Sequence, residues 1–459
     1  MLKSNRRERF LTLKEQFPFF VFEKQEYSLG SRGLEIRFTF NLADQYKFYP
    51  TLFIPRKSCF LSDENIANRL PNIVFNIGMI ELISYWKAAC PPNLIIQPFG
   101  LFPEQIAWWK HLYFHGLGEF FYLNSIPSDQ DTFLNIEVAS KNHLPPQRYS
   151  LDNSIIIPVG GGKDSAVTLE LLGMTPGALP LILNPRKACI KSMVAAGFAG
   201  NDYFEIHRTI DPLLLSLNDM GFLNGHTPFS ALLGFLTVLA SAMTGKKHIA
   251  LSNESSANEP TIPGTDINHQ YSKSFAFETN FRQYISTWIN SEINYFSFLR
   301  PLHELQIAAL FSGFPKYHPV FKSCNAGSKT DSWCCNCPKC LFTYIILAPF
   351  LPETSLKAIF GKNLLSTESL LPWFEQLSGL AEEKPFDCIG TVDEVNVALC
   401  EIIGRNSLDS LPFLLDYYRN SRLYPQCLPG NFEKTLLAFS PHHHLPHEFE
   451  QILKKAING

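Results

Sequence analysis

Residues 154–172 place the tightest constraint on what this chain can fold into. Ser154-Ile-Ile-Ile-Pro-Val159 is a continuous apolar, β-branched run, the pattern of a strand buried on both faces. It leads into Gly160-Gly161-Gly162-Lys163-Asp164-Ser165, after which Ala166-Val-Thr-Leu-Glu-Leu-Leu172 has the apolar spacing of a helix. Strand, glycine loop and helix in that order make an anion site, because glycines let backbone amides approach a phosphate and the helix N-terminus favours its charge. Ser165 can add a hydroxyl donor and Lys163 a positive charge, while Asp164 can act through Mg²⁺ or cap the helix. The spacing fits neither GxGxxG nor the Walker loop, and a mere flexible turn would not require Lys-Asp-Ser in that order. Gly160, Gly161, Gly162, Lys163, Asp164 and Ser165 are therefore the expected phosphate-binding residues.

The pattern around this loop alternates. Leu179 to Leu183 reads as a second buried strand, Lys187 to Ala196 as a helix and Tyr203 to His207 as a third strand. Ser230 to Met243 is a long apolar helix, and Lys247 to Ser252 a fourth strand. Alternation of this kind predicts an α/β unit, a doubly wound parallel sheet, over residues 151–345, with its ligand crevice at the carboxyl ends of the strands. Residues 1–150 read as an N-terminal α+β domain. They hold strand patterns at 33–41 and 51–55, paired as a hairpin, and helical stretches at 81–87 and 104–115. Residues 346–459 read as a helical C-terminal region, with helices at 371–377 and 407–418.

Composition bounds the function. A chain of 459 residues with 46% hydrophobic and 18% charged residues is ordinary globular material, and its 39 phenylalanines predict thick cores and aromatic-lined clefts. A net charge of −3 gives no whole-chain attraction to nucleic acid or anionic membrane, so neither is an expected partner. The first ten residues, MLKSNRRERF, are polar and basic with no apolar stretch after them, and no run of about eighteen uncharged apolar residues occurs. These features predict a cytoplasmic protein.

Two polar blocks follow the fourth strand, Ser252 to Pro260 and Asn268 to Ser274. Together they present Asn253, Glu254, Asn258, Glu259 and Gln270 as candidate substrate- and Mg²⁺-binding residues, with His269, Tyr271 and Lys273 as candidates for moving protons. A solvated loop held by Asx turns is the plainer alternative. Arg300, which precedes another helix, can pair a carboxylate or phosphate, or form an internal salt bridge.

Five of the eleven cysteines fall between positions 324 and 340. Cys324, Cys334, Cys337 and Cys340 have the spacing of a tetrahedral structural zinc site; an iron–sulfur cluster and unligated core thiols are the alternatives. Cys335 is left over, and Cys59, Cys90, Cys189, Cys388, Cys400 and Cys427 read as scattered small core residues.

The GGGKDS loop resembles the SGGxDS loop of the N-type ATP pyrophosphatases, the PP-loop enzymes of adenine nucleotide alpha hydrolase-like fold, with Gly160 replacing the first serine. That resemblance implies ATP as cosubstrate, cleaved between its α and β phosphates to leave an adenylated intermediate. GGGKDS at 160–165, SNESSANEP at 252–260, NHQYSKSF at 268–275 and CNCPKC at 335–340 together resemble the UDP-N-acetyl-α-D-muramoyl-L-alanyl-L-glutamate epimerase family. The family resemblance implies ATP-dependent inversion of the terminal L-Glu of a UDP-muramoyl peptide through an acyl-adenylate. It also implies a pathway partner, the ligase that adds L-Glu to muramoyl-alanine. Other readings of the same motifs are a 7-cyano-7-deazaguanine synthase-like enzyme, an amide or thiolation ligase, and a non-catalytic nucleotide-sensing module.

Overall fold

The computed structural model describes residues 2–59, 68–200, 202–262, 264–327, 330–405 and 410–458, with side chains from residue 5 onward. The chain is a mixed α/β protein built on one large, mostly parallel sheet. It opens with helix α1 (Leu2–Gln16), followed by strands β1 (Phe19–Leu29), β2 (Gly33–Leu42), β3 (Tyr46–Phe48) and β4 (Thr51–Pro55). Next come α2 (Pro71–Trp86), β5 (Asn93–Ile96), α3 (Pro103–Gly116), α4 (Gly118–Leu123) and β6 (Asn135–Val138). The central portion runs β7 (Asp152–Pro158), α5 (Lys163–Leu172), β8 (Leu179–Leu183), α6 (Lys187–Ala195), β9 (Phe204–Thr209) and α7 (Pro212–Asp219). It continues with α8 (Phe229–Thr244), β10 (Lys246–Leu251), α9 (Phe275–Trp288), β11 (Asn294–Ser297) and α10 (Glu304–Ser312). The remainder is helical: α11 (Pro338–Leu347), α12 (Glu353–Phe360), α13 (Leu371–Ser378), α14 (Val392–Arg405), α15 (Phe413–Arg419), α16 (Asn431–Leu437) and α17 (His447–Asn458).

The strand order is β11-β10-β7-β8-β9-β4-β2-β1-β5-β6, with β3 paired to β2. From β11 to β9 every pairing is parallel. The order reverses between β7 and β10, which opens a crevice at the carboxyl ends of those strands. Side chains alternate across the sheet as the two-residue period requires. Ile156, Leu181, Ile249 and Tyr295 enter one core, while Ile155, Ile157, Ile182, Ala250 and Phe296 enter the other. Helices α8 and α9 cover the first face; α5, α6, α10 and the C-terminal helices cover the second.

The strands before residue 150 do not form a separate sheet. β4 pairs antiparallel with β9, setting Leu52 opposite Arg208 and Phe53 opposite His207, so the sheet continues through that join. The join is fastened by a buried ion pair. Arg208 donates from Nε to Glu81 Oε2 at 2.8 Å and from Nη2 to Oε1 at 2.8 Å. Glu81 lies in α2, which is buried along nearly its whole length.

Beyond the strands read from periodicity, the sheet contains β1, β3, β5, β6 and β11, of which β3 has only three residues and β5, β6 and β11 only four each. The helix anticipated over 407–418 is described only as α15, and residues 406–409 lie outside the described residues. Pro412 sits at its N-cap, and a proline disfavours helical backbone in the residue before it, so the helix begins at Phe413.

Arg208→Ala would leave Glu81 buried without its partner and is expected to lower unfolding free energy by about 3–5 kcal/mol in urea titration. Lys57→Ala, which breaks a partly exposed pair with Glu205, is expected to cost no more than about 1 kcal/mol. Equal losses in the two variants would contradict the role given to the buried pair.

Candidate active site

A cavity of about 400 Å³ opens at the carboxyl ends of β7, β8 and β10. Gly160, Gly162, Asp164 and Ser165 line one side, at the start of α5. The loop is held by its own hydrogen bonds: Gly161 N–H donates to Ser165 Oγ at 3.1 Å, and Ser165 Oγ donates to the Gly162 carbonyl at 3.0 Å. Gly161 has φ +80°, and a Cβ there would meet Ala188 Cβ and the Cys189 nitrogen at 3.1 Å, so glycine is required. At Gly160 a Cβ would meet nothing within 4 Å, so space does not exclude the serine of the resembling loops.

Lys163 does not line the cavity. Its side chain is buried, and Nζ pairs with Glu304 at the start of α10 and with Asp164. Burial opposes its charge, but the two carboxylates outweigh that and keep it protonated. The lysine and arginine side chains that do line the cavity are Arg186, Lys322, Lys339 and Lys273. Of these, Arg186 also donates to the Gly160 carbonyl at 3.0 Å.

The polar blocks divide. Asn253, Glu254, His269, Gln270 and Lys273 line the cavity, whereas Asn258, Glu259, Tyr271 and Arg300 do not. Asn258 is exposed and locks the loop, its Oδ1 accepting from Phe275 N–H at 2.7 Å. Tyr271 turns away and stacks on His115 at 5.0 Å, where burial pushes its phenol up to about 12. Arg300 is fully buried. It binds Glu278 Oε2 at 3.2 Å and the carbonyls of Glu254 and Lys273, which makes it the internal salt bridge that pins the block.

Glu259 and Gln270 hold a third segment over the site. Glu259 pairs with Lys384, which donates to the Gly390 carbonyl at 3.1 Å, and Gln270 donates to the Ile389 carbonyl at 3.1 Å. Asn325 donates to Asp387 at 2.8 Å. This segment presents Cys388 to the cavity. Cys388 is half-buried and lines the cavity together with His269 and Lys273, whose charges act on its thiol. His269 Nδ1 in turn pairs with Glu119 of α4, beside His226. Burial would lower the His269 pKa, but hydrogen bonds to Cys388 and Glu119 hold it at about 9. Burial, helped by the charge on His269, pushes His226 down to about 3. Burial would raise the Cys388 pKa, but the Lys273 and Lys339 charges and the His269 hydrogen bond pull it down to about 6.

Cys388, Glu119, His226 and Glu304 were not legible as site residues in the sequence. The one local signal near Cys388 is Thr391-Val-Asp-Glu394, a capping box: Glu394 Oε2 accepts from Thr391 N–H at 3.0 Å, and Thr391 Oγ1 accepts from Glu394 N–H at 3.1 Å. It puts Cys388 in the loop before a helix, where site residues concentrate.

Cys324, Cys334, Cys337 and Cys340 converge beside the cavity, and Cys324 also lines it. Their sulfurs stand 3.5 Å (Cys337–Cys340), 3.7 Å (Cys334–Cys340) and 3.9 Å (Cys324–Cys337) apart. Four thiolates around a tetrahedral zinc, each at about 2.3 Å, stand about 3.8 Å from one another, so the set has the size of a single-metal site. A multi-iron cluster would hold its cysteines farther apart. Cys335 is left out; its thiol donates to the Phe360 carbonyl at 3.1 Å. Two of the scattered cysteines are not free core thiols, because Cys400 and Cys427 are disulfide-bonded to each other.

Two family models match the chain: the MurL N-terminal domain over residues 12–298 and the MurL C-terminal domain over residues 320–422. Among curated proteins, the UDP-N-acetyl-alpha-D-muramoyl-L-alanyl-L-glutamate epimerase of Salinispora tropica is 36% identical, covering 79% of this chain and 79% of its own. Proteins of the same name from Xanthomonas oryzae pv. oryzae and a Micromonospora species are 33% and 34% identical. They cover 81% and 83% of this chain, and 83% and 86% of their own lengths. No solved structure matches the chain.

The Glu119–His269 contact sets a pH dependence. A pKa raised from 6.5 to about 9 means that this histidine contributes stability fully below 6.5 and loses it as pH rises through about 9. Glu119→Gln is expected to lower the His269 pKa and to flatten that fall, as followed by imidazole NMR and thermal melts across pH 6–10. An unchanged His269 titration would contradict the assignment.

Proposed function

The chain belongs to the MurL family, and from that premise we propose that it inverts the terminal L-Glu of UDP-N-acetylmuramoyl-L-alanyl-L-glutamate to D-Glu at the expense of ATP. The observation that carries this reading is the shared cavity. The N-terminus of α5, with its Gly160–Ser165 loop, and the His269–Cys388–Lys273 cluster line one space. A phosphate-binding loop and a proton-transfer cluster in one cavity suit a reaction that first activates a carboxylate and then moves the proton beside it.

The chemistry explains why both halves are needed. Removing the α-proton next to a carboxylate would put a second negative charge on the same fragment. Attack of the glutamyl carboxylate oxygen on the α-phosphate forms an acyl-adenylate and breaks the bond to the departing pyrophosphate. The carboxylate charge is gone, and the carbonyl can accept the electron pair released at Cα. Reprotonation on the other face inverts the centre, and hydrolysis of the acyl-adenylate leaves D-Glu and AMP. In this reading the chain is a PP-loop enzyme of doubly wound fold, and the strand order reversing at β7 and β10 supports that. The amides at the start of α5 and the Ser165 hydroxyl would receive the pyrophosphate, with Arg186 and Lys322 offsetting its charge.

Magnesium fits the oxygen donors that line the same cavity. Asp164 and Glu254 would hold it, and the ion would neutralise phosphate charge during transfer. For the Cys324–Cys334–Cys337–Cys340 set we propose a structural zinc, supported by the sulfur separations. The substrate of such an epimerase is the product of a ligase that adds L-Glu to muramoyl-alanine, which makes that ligase the expected pathway partner.

Incubation with ATP, Mg²⁺ and UDP-N-acetylmuramoyl-L-alanyl-L-glutamate is expected to yield AMP, pyrophosphate and, after acid hydrolysis, D-Glu. AMP with unaltered L-Glu would contradict the epimerase reading, and the absence of AMP would contradict the adenylation step. Elemental analysis of the purified chain is expected to find about one zinc per molecule. Cys337→Ser is expected to lose that zinc and to melt at a lower temperature, and a metal-free parent protein would overturn the zinc assignment.

A further inference from the structure

His269 and Lys273, the side chains the sequence offers for proton transfer in the cavity, are both poorly suited to accept a proton. His269 is held as imidazolium by Glu119 and Cys388, and Lys273 is held as ammonium by Cys388 and Glu254 against the burial that opposes its charge. Both line the same cavity as the Cys388 sulfur, and their charges act on it. That sulfur lies on the wall of the cavity that also carries Gly162 and Ser165.

We propose that the thiolate of Cys388 is the catalytic base that takes the α-proton of the adenylated glutamyl residue. The proposal rests on the acyl-adenylate reading above, in which the activated carboxyl makes that proton more acidic and so easier for a thiolate to take.

Three features of the geometry support it. Cys388 is half-buried at the cavity wall, so its sulfur is screened from bulk water yet open to a ligand. Its two cationic neighbours stabilise the anion without covalent chemistry, and Lys339, from the α11 wall, adds a third charge. Glu119 occupies one nitrogen of His269, so the other ring nitrogen is the one left to face the sulfur. A carboxylate thereby orients the imidazolium that holds the thiolate in place. The charges around the sulfur pull its pKa down to about 6, so the thiolate predominates at neutral pH.

The step balances as follows. The Cα–H bond breaks and its proton forms the S–H bond of Cys388. The electron pair moves into the Cα–C bond, and the carbonyl pair moves onto the acyl oxygen to give an enolate. Water on the opposite face then protonates Cα as the carbonyl reforms, and the Cys388 proton returns to solvent. Glu119 and His269 are positioning residues in this scheme, because they act on substrate only through the sulfur.

The test uses Cys388→Ala and Cys388→Ser in the full chain, with ATP, Mg²⁺ and UDP-N-acetylmuramoyl-L-alanyl-L-glutamate in D₂O. Substrate-dependent pyrophosphate release is followed beside deuterium incorporation at Cα. Both variants are expected to release pyrophosphate, while deuterium incorporation and inversion fall by about 10²–10⁴-fold. Because the serine variant nearly preserves side-chain volume, a folding defect in the alanine variant would not remove the test. Exchange in either folded variant within about tenfold of the parent rate would overturn the proposal. So would loss of pyrophosphate release in a folded variant that still binds ATP, since the thiol would then act in activation. If the parent enzyme itself released no pyrophosphate, the adenylation reading would fail instead, so the two failures are distinguishable.

Discussion

The buried charge of Lys163 is the contact on which the site's architecture depends. A protonated amine beneath the start of α5 is tolerable only because Glu304 and Asp164 answer it. Glu304 begins α10, and its backbone N–H donates to Glu394 of α14. Glu394 also accepts from Thr391, closing the capping box that follows the Cys388 segment. A chain of polar contacts therefore runs from the Gly160–Ser165 loop, through two helix N-termini, to the segment that carries the thiol. Gly390 fits into this chain because a Cβ there would meet the side chains of Glu304 and Phe342 at 2.9–3.0 Å. Lys163, which looks in sequence like a phosphate ligand, is thereby tied through Glu304 to the C-terminal helices.

The same logic gives the polar blocks their shape. Arg300, wholly buried, gathers Glu278 and the carbonyls of Glu254 and Lys273, which fixes the backbone on which Glu254 and Lys273 face the cavity. Glu259 and Gln270 hold the Cys388 segment from the other side. Residues that seemed interchangeable as substrate ligands thus separate into cavity-facing groups and groups that hold them there.

Much of the central sheet was legible in the sequence. The β7 run is β-branched and apolar, β8 and β10 each carry a short apolar stretch, and α5 and α8 have helical spacing, because local burial dictates those patterns. The convergence of Cys324, Cys334, Cys337 and Cys340 was also legible, since three of them share a short loop. What could not be read was pairing across distance. The join of β4 to β9 leaves no local mark, and neither does the meeting on one cavity of Cys388 with His269, which lie far apart in the sequence. Tyr271 illustrates the converse. Its neighbours face the cavity, but a 3₁₀ turn over Tyr271–Lys273 rotates the phenol to the far side, against His115. Residue type alone cannot reveal that rotation.

In the proposed reaction, proton removal at Cα depends on cleavage between the α and β phosphates in the same cavity. The most direct measurement is the rate at which the glutamyl Cα–H of the UDP-muramoyl peptide exchanges with D₂O. The rate would be compared with ATP, with the α,β-methylene analogue that cannot release pyrophosphate, and with no nucleotide. The account predicts exchange with ATP alone. Exchange at a comparable rate with the analogue or without nucleotide would contradict it.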